Sequence, residues 1–257
     1  MLHSLRQQSW PQKKIEHLVV DGASDDGTLE YLQATLHAGN ITALVSKPDS
    51  GIYEAMNRSI RHASGDAILF LNSDDTLEPQ ALEVLADALE RSNASYAYAD
   101  MLRVNDTGEV IGVHIGNIRT VYFQTPYCHQ TLLYRRSCYD ILRYDEHFKI
   151  TEWPLCIKLY EMGYRHVHVP AYLVRFRNGG RSCSGPHSRE LMLIRRYIAQ
   201  RMGLSLEEYL SLADCVRVKN LQRPCTSGEW EIIHKIQAGG TRTASMFAEI
   251  LTQGRCA

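Results

Sequence analysis

The stretch "HLVVDGASDDGTLEYL", residues 17–32, sets three aspartates and two glycines between an apolar run and a run with helical spacing. A calcium loop would need oxygen side chains at its first, third and fifth positions, a glycine sixth and an acid twelfth. With Gly27 as the sixth, the first position is Gly22 and the twelfth is Gln33, so that reading fails. A second acidic stretch, "FLNSDDTLEP", places Asp74 beside Asp75 after an apolar run. Adjacent carboxylates repel unless a cation or hydrogen-bond donors compensate. Magnesium or manganese would do so, in sites made from one or two carboxylates plus phosphate oxygens, which implies a diphosphate ligand. The alternative is that the pair caps the next helix or shapes a turn. Asp21 ends its apolar run, where its carboxylate could accept from a base N–H or a ribose hydroxyl. Ser24 and Asp26 are candidate caps for the helix that starts near Gly27. Neither G-x-x-x-x-G-K-[ST] nor G-x-G-x-x-G occurs, which disfavours P-loop and dinucleotide folds.

These residues must be held by strand, loop and helix units. Ile15 to Val20 reads as a strand, and Thr28 to His37 as a helix carrying Leu29, Leu32 and Leu36. "NITALVSK" is a second strand, "PDSG" breaks it, and "IYEAMNRSIRHA" puts Ile52, Ala55, Met56, Ile60 and Ala63 on one helical face, closed by Gly65. "DAILFL" reads as a fully buried strand, followed by the Asp74–Asp75 loop and a helix from Pro79. Three such units predict a parallel sheet covered by helices, with ligands gathering at the carboxyl ends of its strands. "SYAYADMLRV" and "EVIGVHI", joined by "NDTG", predict a hairpin, and "HQTLLYRR" a further strand. "YDEHFKITEWP" is a polar loop before a helix that runs to Met162. The strand-like "HVHVPAYLVRFR" leads into "NGGRSCSGPHS", a candidate mobile loop, and the chain turns helical from Arg189.

The bulk numbers narrow the class. The 257 residues are 44% hydrophobic and 22% charged, ordinary globular usage that excludes disorder and low complexity. A net charge of -1 provides no global attraction to nucleic acid. Seven scattered cysteines with no C-x-x-C spacing read as reduced thiols, not as disulfides or a zinc site. No run approaches the ~18 apolar residues of a spanning helix. Nor does the N-terminal region carry a signal-like apolar core. A cytoplasmic protein is expected, with peripheral contact at an inner membrane left open.

Together, "VVDGASDDGT", "KPDSGIYEAMNRSIRHASGD" and "ILFLNSDD" resemble the family 2 glycosyltransferases of GT-A fold, in the branch that builds bacterial exopolysaccharides such as colanic acid. The resemblance covers about residues 1–182 and implies an α/β GT-A domain there, with 183–257 as a helical C-terminal appendage. It implies a nucleotide-sugar donor, a divalent metal (Mn2+ or Mg2+), and a glycan or lipid-linked saccharide acceptor. By this resemblance Asp21 contacts the base, Asp74 the ribose, and Asp75 the metal. Asp49, Gly51 and Asn57 belong to the donor-side loop. His129, in "PYCHQTLL", would touch diphosphate or metal, with a structural role as the alternative. "GGRS" resembles a segment that closes over the donor, with Arg181 as a candidate phosphate contact.

An inverting transfer needs a base for the acceptor hydroxyl. By resemblance this is Glu152, where many relatives carry aspartate; its place before Pro154 at a helix start would keep it ionised. Asp145 and Glu146 are rivals. A nucleotidyltransferase, or a catalytically silent nucleotide-binding or assembly protein, remains the alternative function. The resemblance also places a strand ahead of "MLHSLRQQSWPQ", which reads as the last turns of a helix ended by Pro11. Without that strand the sheet would carry unpaired edges, and the chain is expected to be marginally stable.

Overall fold

The computed structural model describes residues 1–147, 150–179 and 188–219, with residues 231, 232, 234 and 236. The candidate loop at 180–187, including Arg181, and most of the tail lie outside the described residues.

Helix α1 (Leu2–Arg6) precedes a strand, helix, strand unit: β1 (Leu18–Asp21), α2 (Thr28–His37) and β2 (Ala43–Ser46). β1 and β2 pair in parallel, from Leu18 opposite Ala43 to Asp21 opposite Ser46. Val19, Leu32 and Ile41 bury a small core between them, with Leu2, Leu36 and Leu44 packed around it. Helix α3 (Ile52–His62) follows. Its buried face is Tyr53, Met56, Asn57 and Arg58, while Ile52 is largely exposed, so the apolar face read from the sequence is rotated by about one residue. The cause is polar. Arg58 donates to the carbonyls of Lys47 and Pro48 and to Glu54, and Asn57 bonds the chain near Tyr144, so satisfied polar groups occupy positions that an apolar count leaves out. The helix ends at His62, not at Gly65, because Ala63 is already extended.

The second sheet is mixed. Its strands are β3 (Ala67–Ile68), β4 (Thr76–Leu77), β5 (Tyr96–Val104), β6 (Val110–His114), β7 (Leu132–Arg135) and β8 (His166–Arg177). They run in the order β3-β7-β5-β8-β4, with β6 pairing β5 beyond that path. Among the described residues of this sheet only β5 and β8 pair in parallel; β3 is antiparallel to β7. Two expectations therefore change. "DAILFL" forms a two-residue ladder, and Leu69 to Leu71 continue without pairing. Among the described residues the parallel β1–β2 pair is not continuous with the larger sheet. The two are tied at their starts, where the Glu16 carboxylate accepts from the N–H groups of Ser64 and Gly65 and from the Ser64 hydroxyl.

β5 shows how this sheet is covered. Tyr96 and Tyr98 point into one core, and Ala97, Ala99 and Met101 into another, the alternation of a strand buried on both faces. The alanine side receives helix α4 (Ala81–Ser92) through Ala81, Leu85 and Leu89. The tyrosine side receives Trp153, Leu155 and Leu159 of α5 (Glu152–Glu161) and the segment Val121 to Phe123. Helices α6 (Ser188–Arg201) and α7 (Leu206–Lys219) join that same core through Ile198, Ala199, Tyr209 and Leu212, and the Tyr209 hydroxyl donates to the Tyr122 carbonyl.

Candidate active site

Asp21 is the last residue of β1 and is almost fully buried. Its carboxylate accepts from the N–H groups of Ala23 and Ser24 and from the hydroxyls of Ser24 (2.5 Å) and Ser46 (2.7 Å). Burial pushes its pKa up, but these donors outweigh burial and hold it below the ordinary carboxylate value. The residue expected to meet the base thus shapes the loop that follows it. Ser24 serves Asp21 and does not cap α2, whose N-cap is Gly27; Asp26, just ahead of it, accepts from the Thr28 N–H at 3.1 Å.

The neighbouring loop approaches closely. A Cβ at Gly22 would stand 3.0 Å from Asp49 Oδ2, so glycine permits the two loops to touch. Asp49 accepts from the Gly51 N–H at 3.1 Å, and Gly51, at φ 143°, adopts a backbone conformation that side chains rarely take as the chain enters α3. Both keep part of their surface exposed. Asn57 does not: its side chain is buried, bonding the Tyr144 carbonyl (2.8 Å), the Tyr144 N–H (2.9 Å) and Glu146 Oε1 (2.8 Å).

The two adjacent aspartates are treated differently by the fold. Asp75, expected to hold the metal, has no exposed surface. Its Oδ1 accepts from the Arg177 N–H (2.9 Å) and its Oδ2 from Gln130 Nε2 (2.7 Å). Burial raises its pKa, and the charge of Asp74 adds to that rise. Asp75 therefore ties its loop to the end of β8 and to the turn at His129–Thr131. Asp74 is the exposed carboxylate of the pair.

That turn brings His129 to Glu152. His129 Nδ1 lies 3.3 Å from Glu152 Oε1, and the Tyr53 hydroxyl donates to Glu152 Oε2. Glu152 is the first residue of α5, where the helix dipole favours negative charge. Burial pushes its pKa up, but hydrogen bonds from His129 and Tyr53 and the histidine's charge bring it below the ordinary value. Its side chain keeps 21% of its surface, enough for one edge to be reached. Nε2, the other ring nitrogen of His129, is buried with no hydrogen-bond partner among the described residues. Such an orphan atom marks a position a polar ligand could fill. The rival acids stand elsewhere: Asp145 bonds His147 on the surface, and Glu146 is exposed and bonds Asn57.

Tyr53, Gln130 and Ser46 were not singled out from sequence. Tyr53 alone left a signal, four residues before Asn57 and so on the same face of α3.

Among the described residues, no three of His, Cys, Asp and Glu converge as a metal cage. Asp74 is an exposed carboxylate of the kind that serves a hard cation when most of the cation's ligands come from substrate phosphate rather than from a closed protein site. No helix among the described residues is long and apolar enough to cross a membrane. Cys128, Cys138 and Cys156 are free thiols.

Comparison with known proteins identifies the family and the fold. The chain is 40% identical over 87 residues to an uncharacterised glycosyltransferase of Mycobacterium tuberculosis, covering 34% of this chain and 31% of that one. It is 28% identical over 169 residues to a PGL/p-HBAD biosynthesis glycosyltransferase of Mycobacterium bovis, covering 61% of this chain and 64% of that protein. The matches thus span less than two thirds of these relatives' length. The putative glycosyltransferase EpsE of Bacillus subtilis is 25% identical over 82% of this chain and 80% of its own. Among solved structures, S. aureus TarS in complex with UDP-GlcNAc superposes with a TM-score of 0.65 at 17% identity, over 99% of this chain and 86% of that one. Residues 1–155, more than half of the 257, match the family described as glycosyl transferase family 2, and the chain is a member of that family with the GT-A fold.

Proposed function

We propose that this chain is a metal-dependent, inverting glycosyltransferase that moves a sugar from a nucleotide-diphosphate sugar to a hydroxyl of a glycan or lipid-linked saccharide during polysaccharide assembly. The observation that carries the reading is Glu152: a carboxylate kept ionised in largely buried surroundings, reachable along one edge, beside a histidine with an unfilled nitrogen. In this reading Glu152 removes the proton of the acceptor hydroxyl as that oxygen attacks the anomeric carbon. The bond from that carbon to the diphosphate breaks on the opposite side, and the nucleoside diphosphate departs with the electron pair.

Asp74 and His129 are assigned to the diphosphate end of the donor. Asp74, expected at the ribose, is assigned here to the cation it would face, and Asp75, expected at the metal, is assigned to holding the loop in place through Gln130 and the Arg177 N–H. A divalent ion at Asp74 would offset charge on the departing diphosphate. The mannosyltransferase PcManGT of Pyrobaculum calidifontis, a fold neighbour at TM-score 0.56 and 14% identity, has a structure in complex with GDP-Man and Mn2+, a donor and metal of the class proposed here. Asp21, Asp49 and Gly51 shape the wall where the nucleoside would lie, and Asn57 positions the chain leading to Glu152. The test is a panel of nucleotide sugars with manganese. Consumption of one donor, with release of its nucleoside diphosphate, supports transfer. Binding without turnover across the panel would favour the silent nucleotide-binding alternative.

A further inference from the structure

Tyr53 is an almost fully buried tyrosine in the first turn of α3, only two residues beyond the donor-side Gly51. Its ring stacks on Tyr144 with centroids 5.4 Å apart and planes 18° from parallel. Asn57, one helical turn later, bonds both backbone groups of that same Tyr144. The Tyr53 hydroxyl therefore sits on a fixed platform. It donates to Glu152 Oε2 and accepts from the Thr151 N–H at 3.4 Å, while His129 meets the other carboxylate oxygen.

We propose that Tyr53 is a positioning residue for the transfer reaction: its hydroxyl and the His129 ring fix the two oxygens of Glu152, so that one remaining lone pair is aimed at the acceptor hydroxyl. The proposal rests on the reading of Glu152 as the base. A carboxylate at the start of a helix can otherwise rotate about its last torsion, which has broad wells. Two donors from two different elements remove that freedom, and a base must be held close to its productive geometry to be effective. A hydrogen bond to the charged form also opposes protonation. The titratable groups facing Glu152 are Tyr53 from α3, His129 and Cys128 from the turn, Tyr144 from the segment before α5, and Cys156 within α5. Burial pushes Cys128 and Cys156 up to about 12 and both tyrosines above their ordinary value, so these four stay neutral while Glu152 titrates.

The test is Tyr53→Phe in the full chain, which keeps the stacked ring and deletes the hydroxyl. The expected result is a fall in kcat of about 10-fold with the KM for donor unchanged, and an acid limb of the kcat profile moved upward by about one pH unit. A second readout needs no turnover: infrared titration of the Glu152 carboxylate, assigned with Glu152→Gln, should show protonation at higher pH in the Phe variant. An unmoved carboxylate band together with unchanged kcat would overturn the proposal. A band that moves while kcat and its pH profile do not would support the hold of Tyr53 on Glu152 and overturn Glu152 as the base.

Discussion

Asn57 and Tyr144 exchange a reciprocal pair of hydrogen bonds, side-chain amide to backbone carbonyl at 2.8 Å and backbone N–H to side-chain carbonyl at 2.9 Å. They stand 87 residues apart in sequence, so the pair fastens the donor-side helix α3 to the chain that leads into α5 and Glu152. Asn57→Ala would leave two buried backbone groups of Tyr144 without partners. The expected cost is about 1–3 kcal/mol of stability per unsatisfied group at most, read from denaturant midpoints. An unchanged midpoint would contradict the fastening role.

The two adjacent aspartates should separate cleanly by experiment. Asp74→Asn is expected to abolish the manganese dependence of donor binding in calorimetry while leaving the melting temperature unchanged, because an exposed carboxylate contributes little to the fold. Asp75→Asn should do the reverse. Its new amide N–H would face the Arg177 N–H or Gln130 Nε2, both donors, and lower the melting temperature even without ligand. Loss of metal dependence at Asp75 with retained stability would restore the original order.

Asp21 has a signed pH consequence. Its folded pKa lies below its unfolded one, so the folded state binds fewer protons in that window and gains stability as pH rises through it. The contribution is complete above the unfolded pKa and lost as pH falls through the folded pKa. Asp21→Asn should therefore show its largest stability deficit at neutral pH and a shrinking one in acid. Denaturation midpoints across that range check this, and a deficit independent of pH would contradict it.

What could be read from sequence followed local signals. The limits of α2 at Thr28 and His37, the β5–β6 hairpin and the long β8 all came from periodicity and turn residues, which act within a few positions. The family resemblance named Glu152, His129, Asp74 and Asp75, and the structure sets the first two 3.3 Å apart. Partners distant in the chain were not readable. Gln130 and Arg177 decide that Asp75 is internal, 55 and 102 residues away, and no local pattern encodes that. Asn57 and Arg58 misled the helix-face count for a related reason, since polar side chains with distant partners can be buried as fully as leucine. The direction of β3 depends likewise on β7, more than sixty residues later.

The most direct test of the account is single-turnover transfer by Glu152→Gln, set beside its donor affinity under the same metal conditions. Glutamine keeps the size of the side chain and can still bond Tyr53 and His129 in part, but it cannot take the acceptor's proton. The expected result is donor affinity within about 2-fold of the parent and a transfer rate lowered by about 10²-fold or more. Transfer at the parent rate in that variant, with the donor still bound, would contradict it.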